Sequence, residues 1–452
     1  MAVALSIVGG VGKAAAADPT VVRSGCEFAN PADEANHIQT CKVWSESMQQ
    51  YVIVKVRPSD QQAGQQEQAV YFLGGVNDGG QNNGNSEYST KYNLVMIQGS
   101  TSTWSSNWES QPVDADGHPL TTSDGKPYDP RWETFIGEEL PAYLNTNFSV
   151  DESDNAIVGL SMSGGQAVNL ALKYPNVFKV ALSTSGYYQT DNPLGWLAVP
   201  YILATRSGIA NGFDGMWGNP FAPGNKWAAN DVGDNIGSAR DHDQTIIVST
   251  GNGIISSQAE LDELLTLGHG EPTEVLAGAG LEFVSFLSAL WLNAQAVAFD
   301  LPVKFIYTSG GHTWVRWNRT AAEEAEQVQD ALTKYEVPDT STPARDTAAP
   351  SASAAAPVVA RSEHADESVT ESVAPQTTNA VTNPPSTPAP STLDTTTTPA
   401  LATTTECGTT AAATTDTEAS AEPTLDESTA DAVESESPAI VSTATPIAAP
   451  AK

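Results

Sequence analysis

The segment Ala156-Ile157-Val158-Gly159-Leu160-Ser161-Met162-Ser163-Gly164-Gly165 runs a β-prone apolar stretch straight into small residues. A serine at such a junction can act as a nucleophile. A sharp strand-to-helix turn lifts its hydroxyl above the end of a sheet, and only small neighbours fit around that turn. Gly159 supplies one of them; Ser163 stands where a second glycine is usual. The backbone N–H of Met162, opening the following helix, is then expected to face the oxyanion of a tetrahedral intermediate. A serine hydroxyl is a weak nucleophile alone, so a base must come from elsewhere.

Six histidines are available. His37 and His118 precede the serine, and His364 lies in a C-terminal stretch without aromatic residues. His242, His269 and His312 follow the serine. Where such elbows occur, the chain order is serine, acid, histidine. Val303–Thr308 reads as a strand, Ser309-Gly310-Gly311 as a turn, and His312 comes next. That places an imidazole at the carboxyl edge of the sheet. His269, flanked by glycines, is the alternative. Asp262, Glu263, Glu271, Glu274 and Glu282 all lie between serine and histidine, and spacing does not choose among them. Glu282 opens an otherwise apolar helical stretch. A carboxylate there either complements the helix dipole or is a buried group held for function.

The elements that must position these residues are short apolar runs alternating with helical periods. Tyr51–Val56, Ala69–Leu73, Leu94–Gln98, Ala156–Leu160, Val180–Thr184, Thr245–Ser249 and Val303–Thr308 read as strands. Several are nearly continuously apolar, as in sheets covered on both faces. Trp132 to Asn145 reads as a helix. Ala167, Leu170, Ala171 and Tyr174 share one helical face after the serine, and Ala321, Ala325, Val328, Leu332 and Tyr335 share another. Leu281 to Phe299 is apolar nearly all round and reads as a buried helix; Glu282, Asn293 and Gln295 make it a poor membrane span. Between Tyr187 and Asn235 the pattern is irregular and rich in Trp, Gly and Pro, either a lid-like insertion or a packed surface excursion. The expected fold class is α/β, with a mostly parallel central sheet flanked by helices.

The chain has 452 residues, with 54 Asp and Glu against 20 Lys and Arg, for a net charge of −34. That balance excludes electrostatic nucleic-acid binding and a polybasic membrane anchor. Residues 1–17 read as a signal peptide: a short apolar stretch ending in small residues, with a true start expected upstream. Residues 18–337 form the globular domain. Residues 338–452 are acidic and rich in Thr, Ala, Pro, Ser and Glu, and read as a disordered tail with possible envelope association. Cys26 and Cys41 suit a disulfide in an exported protein; Cys407 is left over in the tail. No metal-ligand spacing surrounds Cys407, and neither metal nor cofactor is implied.

Together these residues resemble a known family. Gly159-Leu160-Ser161-Met162-Ser163-Gly164-Gly165 resembles the elbow of the mycolyltransferases, the antigen 85 type of α/β-hydrolase. Trp132-Glu133-Thr134-Phe135, then Glu139-Leu140-Pro141-Ala142, resembles the helix before that family's elbow strand. Met216-Trp217-Gly218 and Asn230-Asp231 follow in the family's order, and Gly311-His312-Thr313-Trp314 is similar to its histidine loop. Leu281-Glu282 falls where the family carries its catalytic glutamate. The resemblance runs from Val52 to Tyr335. One loop departs: Leu73-Gly74-Gly75-Val76-Asn77-Asp78 stands where the family has a Leu-Asp-Gly-Leu-Arg type, so Gly74 replaces the Asp and Asn77 the Arg.

The resemblance implies an exported serine acyltransferase with Ser161, Glu282 and His312 catalytic. Ser161 takes a mycolyl group from trehalose monomycolate and passes it to another trehalose monomycolate, arabinogalactan or a further cell-wall hydroxyl. Val76 offers the second oxyanion N–H beside Met162, and Asn77 and Trp314 meet substrate. Two other readings use the same fold: a secreted carboxylesterase, and a non-catalytic wall or host-matrix binding protein.

Overall fold

Continuous apolar runs between Ala69 and Gly251 pair into a sheet that both faces bury. The computed structural model describes residues 18–60, 67–75, 86–122, 124–267 and 272–336. The proposed leader (1–17), Val76, Asn77, Asp78, His269, Glu271, the tail from 338 and Cys407 lie outside the described residues, as does the side chain of Glu274. The strands are β1 (Cys26–Glu27), β2 (Gln39–Ser45), β3 (Gln50–Arg57), β4 (Ala69–Leu73), β5 (Asn93–Ile97), β6 (Asn155–Leu160), β7 (Phe178–Thr184), β8 (Thr245–Gly251) and β9 (Val303–Thr308). They form one sheet in the order β1-β2-β3-β5-β4-β6-β7-β8-β9. Pairings from β5 through β9 are parallel, and β1, β2 and β3 extend the sheet antiparallel. Every residue of β5, β6 and β8 is buried, whereas β2 alternates and the edge strand β9 is only half-buried. Fully burying one Val, Ile or Leu side chain contributes about 1.5–3 kcal/mol, so these central strands are the stable spine.

Helices cover the sheet on both sides. They include α1 (Leu140–Phe148), α2 (Met162–Lys173), α3 (Pro193–Ser207), α4 (Gln258–Leu267), α5 (Pro272–Phe299) and α6 (Trp314–Leu332). One core joins Leu140 and Leu144 of α1, Val168 and Leu170 of α2, and Ala289 and Leu292 of α5 to the sheet. The core on the other face joins Ala325, Val328 and Leu332 of α6 to Val158, Leu182 and Ile247. This is the α/β layering expected from the alternating pattern.

Three local readings change. The helix expected from Trp132 to Asn145 is interrupted by one π-helical turn, Phe135–Glu139, ahead of α1. Pro141 has no N–H to give to a carbonyl one turn back, and the ladder widens there. The stretch expected as a buried helix begins earlier, at Pro272, and is buried on one side only. Glu282, Ser285, Ser288, Ala289, Leu292 and Ala296 face inward at helical spacing, while Phe283, Leu287, Leu290, Trp291 and Val297 are exposed. The mean apolarity hid an inner face made of small and polar residues. Its Val275–Phe299 part is long and apolar enough to cross a membrane by length and composition alone. Finally, the aromatic-rich excursion after Tyr187 is packed. Trp217 and Trp227 are fully buried edge to face, with centroids 5.0 Å apart. They share a third core with Trp104, Trp108, Val199 and Leu203.

Cys26 and Cys41 sit opposite each other across β1 and β2 and are joined by a disulfide. The bridge closes a segment with a separation of 15 residues. Removing it by paired Cys26→Ser and Cys41→Ser substitution is expected to lower unfolding free energy by about 3 kcal/mol in urea melts. An unchanged urea midpoint would contradict this.

Candidate active site

Ser161 follows β6 and caps α2. Its backbone takes φ 58° and ψ −119°, a sparsely populated conformation for a residue with a side chain. The surroundings hold it there. The Ser161 N–H donates to the Thr184 carbonyl at 2.8 Å, and the Gly164 N–H donates to the Ser161 carbonyl at 2.9 Å. A Cβ on Gly159 would meet the Ser163 carbonyl oxygen at 2.1 Å, and one on Gly165 would meet the Tyr187 carbonyl oxygen at 2.2 Å. The turn therefore requires glycine at both places. Ser163 is more than a tolerated substitution. It is fully buried, and its hydroxyl donates to the Gly74 carbonyl at 2.8 Å. The Thr101 hydroxyl donates to the same carbonyl at 2.8 Å. The start of the departing loop is thus tied to the elbow, although Val76 and Asn77 themselves lie outside the described residues.

His312 lies in the turn between β9 and α6. Its Nε2 is 2.7 Å from Ser161 Oγ, and its Nδ1 is 2.7 Å from Glu282 Oε2. Glu282 is fully buried. Burial pushes its carboxyl pKa up, but His312, Arg316 and the Gly251 N–H outweigh that and hold it below its ordinary 4.5. An ionised carboxylate only accepts hydrogen bonds, so the Nδ1 proton stays on the imidazole. The Nε2 lone pair then faces the Ser161 O–H. This is the arrangement in which an imidazole can take the hydroxyl proton as oxygen attacks an ester carbonyl, and return it to the leaving alcohol. Met162 opens α2, where first-turn N–H groups have no intrahelical acceptor and are available to an oxyanion.

The acids left open by spacing separate cleanly. Glu282 lies inside α5, ten residues past Pro272, so the helix-dipole explanation for it is wrong. Its Oε1 accepts from the Gly251 N–H at 2.6 Å and the Ser185 hydroxyl at 2.8 Å, and lies 3.1 Å from Thr250 Oγ1. Glu263 instead accepts the Trp314 and Val315 N–H groups at 2.8 and 2.9 Å, capping α6. Asp262 accepts from the Gln258 side chain. Glu260, absent from the sequence-based candidates, accepts the Gly311 N–H at 3.2 Å and pairs with Arg319 at 3.1 Å. The His312 N–H donates to the Gly278 carbonyl of α5. Helices α4 and α5 thus fix the histidine loop. Trp317 packs edge-on to His312 with centroids 4.9 Å apart, and Trp314 packs edge-on to Trp317 at 5.0 Å. Trp314 is partly exposed. Ser185, Arg316 and Trp317 also belong to this cluster. Only the proximity of Arg316 and Trp317 to His312 in sequence could have pointed to them.

A serine held on a strained turn beside a histidine–carboxylate pair, at the carboxyl ends of parallel strands, defines an α/β-hydrolase-type enzyme. The family model Esterase, described as "Putative esterase", matches residues 45–326, and the chain belongs to that family. The chain is 29% identical over 273 residues to diacylglycerol acyltransferase/mycolyltransferase Ag85C of Mycobacterium avium, covering 58% of this chain and 70% of that one. It is 28% identical over 319 residues to diacylglycerol acyltransferase/mycolyltransferase Ag85B of Mycobacterium leprae (strain TN), covering 68% and 86%. The crystal structure of Mycobacterium tuberculosis MPT51 (FbpC1) superposes with a TM-score of 0.51 at 20% identity, over 65% of this chain and 98% of that one, which shows the shared fold. The protein is an enzyme of esterase and acyltransferase type.

The depressed pKa of Glu282 gives a pH test of the buried pair. Its contribution to stability is present above the unfolded value and is lost as pH falls through the lower folded value. The stability difference between wild type and Glu282→Gln, measured by urea unfolding, is expected to be largest near neutrality. It should shrink as pH falls below the ordinary carboxyl value of 4.5 and through the lower folded one. A difference independent of pH would contradict an ionised, stabilised Glu282.

Proposed function

We propose that this enzyme is an exported serine acyltransferase that moves mycolyl groups from trehalose monomycolate to a second trehalose monomycolate, arabinogalactan or another cell-wall hydroxyl. Ser161 is the nucleophile, His312 the proton carrier and Glu282 its orienting carboxylate. The observation that carries this reading is the unbroken hydrogen-bonded line from Ser161 Oγ through His312 to Glu282. Ser161 attacks the donor ester carbon, His312 takes the hydroxyl proton, and the oxyanion faces Met162 and the Val76 N–H. Collapse of the intermediate expels trehalose, which receives the proton from His312. The acceptor hydroxyl then repeats the sequence in reverse.

A long acyl chain is supported by an apolar groove on the surface of the domain. A groove of about 280 Å³ lies between α3 and α5, lined by Tyr187, Asn192, Leu194, Val284, Leu287 and Trp291. Trp314 presents an aromatic surface for a sugar ring, and Asn77 is assigned to a sugar hydroxyl. Export is supported by the Cys26–Cys41 disulfide, since such bonds persist in oxidising compartments. A secreted carboxylesterase is the second reading, favoured by the description of the family itself. Both share the acyl-enzyme and differ in whether water or a sugar hydroxyl resolves it.

The test is incubation of the full chain with trehalose monomycolate and mass spectrometry of the products. Trehalose dimycolate is expected from wild type, with Ser161→Ala slower by at least about a thousandfold. Free mycolic acid as the sole product, with added trehalose and arabinogalactan acceptors present, would replace the transferase with the esterase. Absence of both products would refute the mycolyl donor.

A further inference from the structure

A buried cation lies behind the Ser161–His312–Glu282 line. Arg316, on the first turn of α6, is fully buried. Its Nη1 is 3.7 Å from Glu282 Oε1 and donates to Ser185 Oγ at 2.9 Å. Its Nη2 donates to Ser249 Oγ at 3.1 Å. Ser249 Oγ in turn donates to Glu324 Oε1 at 2.5 Å, and Thr184 Oγ1 donates to Glu324 Oε2 at 2.7 Å. Arg316 therefore stands between two buried carboxylates and reaches each through one serine hydroxyl.

The hydroxyls have no freedom in this arrangement. Ser185 Oγ receives two donors, Arg316 Nη1 and, at 3.0 Å, Trp317 Nε1. A hydroxyl has two lone pairs and one proton. Both lone pairs are occupied, so the proton can only go to Glu282 Oε1, 2.8 Å away. Ser185 itself is held in the left-handed region at φ 55°, just past β7, with its N–H donating to the Ser249 carbonyl at 2.7 Å. Trp317 ties this serine to the imidazole, because the same indole packs edge-on to His312.

We infer that Arg316 is a positioning residue for the acyl-transfer site: through Ser185 it locks one oxygen of Glu282, turns the other to His312 Nδ1, and supplies the positive charge that keeps the pair from taking up an extra proton. The inference rests on the proposed roles of Ser161, His312 and Glu282. It gives Glu324 a purpose as the second counter-charge of Arg316, which lets a guanidinium remain in the interior beside a pair that becomes cationic and anionic during turnover. The ionisable groups around Arg316 are Glu282 on α5, His312 in the loop, Glu324 and Arg319 on α6, and Glu260 on α4. Glu260 is already paired with Arg319, and the buried Tyr188 phenol, bonded to Ser183, lies within electrostatic reach of Glu282.

The sign of the pH effect follows from charge. A nearby cation disfavours proton uptake by the His312–Glu282 pair, whichever member takes the proton. Removing it raises the apparent pKa of the pair. The experiment uses the full chain and a p-nitrophenyl ester, with kcat and KM measured across pH and folding checked by circular dichroism. Arg316→Gln is expected to lower kcat roughly ten- to a hundredfold with little change in KM. Its acidic limb in kcat/KM should move up by about one pH unit. Arg316→Lys, which keeps the charge, should hold the limb near its wild-type position. A wild-type limb in folded Arg316→Gln, or an equal displacement in Arg316→Lys, would overturn the inference. If Arg316→Gln does not fold, Ser185→Ala decides: a fall in kcat at constant KM supports the relay, and a wild-type kcat overturns it. An inactive wild type with no acyl group on Ser161 would instead strike at the proposed function beneath it.

Discussion

The carboxylate of Glu282 is the constraint on which the site depends. A charge inside a protein loses several kcal/mol of hydration and persists only where donors converge on it. Here the donors come from separate elements: the Gly251 N–H at the end of β8, Ser185 just past β7, and the His312 imidazole past β9. The Arg316 guanidinium on α6 adds a charge 3.7 Å away. Three neighbouring parallel strands must therefore end in register for one anion to be tolerated. The same requirement explains why a helix so apolar in composition turns small and polar residues inward. Ser285 and Ser288 continue the inner face below Glu282, donating to the Ser185 carbonyl and the Gln189 side chain.

The serine side of the site obeys a steric rule instead. The turn after β6 places Ser161 in a strained conformation, and backbone oxygens 2.1 and 2.2 Å from where a Cβ would stand leave no room for one at Gly159 or Gly165. Strain at one residue is affordable because β6 is buried along its whole length and paired on both sides. Ser163 shows how a departure from the usual glycine is accommodated. Its hydroxyl replaces empty space with a hydrogen bond to Gly74, joining elbow and loop.

Much of this architecture is legible from sequence because its signals are local. The strands from Ala69 to Thr308 declare themselves by apolar runs, and the elbow by its glycines. The antiparallel edge is harder to read: β1 has two residues, and β2 alternates buried and exposed positions like many surface segments. The identity of the acid is not local at all. Glu263 and Glu282 are equivalent in spacing, and only the fold sends one to backbone N–H groups of α6 and the other to the imidazole. Ser185 and Glu260 are invisible for the same reason, since their partners are distant in sequence, and only nearness to His312 marks Arg316. The irregular stretch after Tyr187 resists reading because Trp217 and Trp227 satisfy each other within a third core rather than on the sheet.

The central claim is that Ser161 forms the covalent acyl-enzyme with His312 as its base. The most direct measurement is rapid quenching of the full chain with an activated long-chain ester, followed by peptide mass mapping. An acyl mass on the peptide containing Ser161 is expected. It should be absent in Ser161→Ala and should form far more slowly in His312→Ala. An acyl group on another residue, or ester turnover that survives in Ser161→Ala, would contradict the claim.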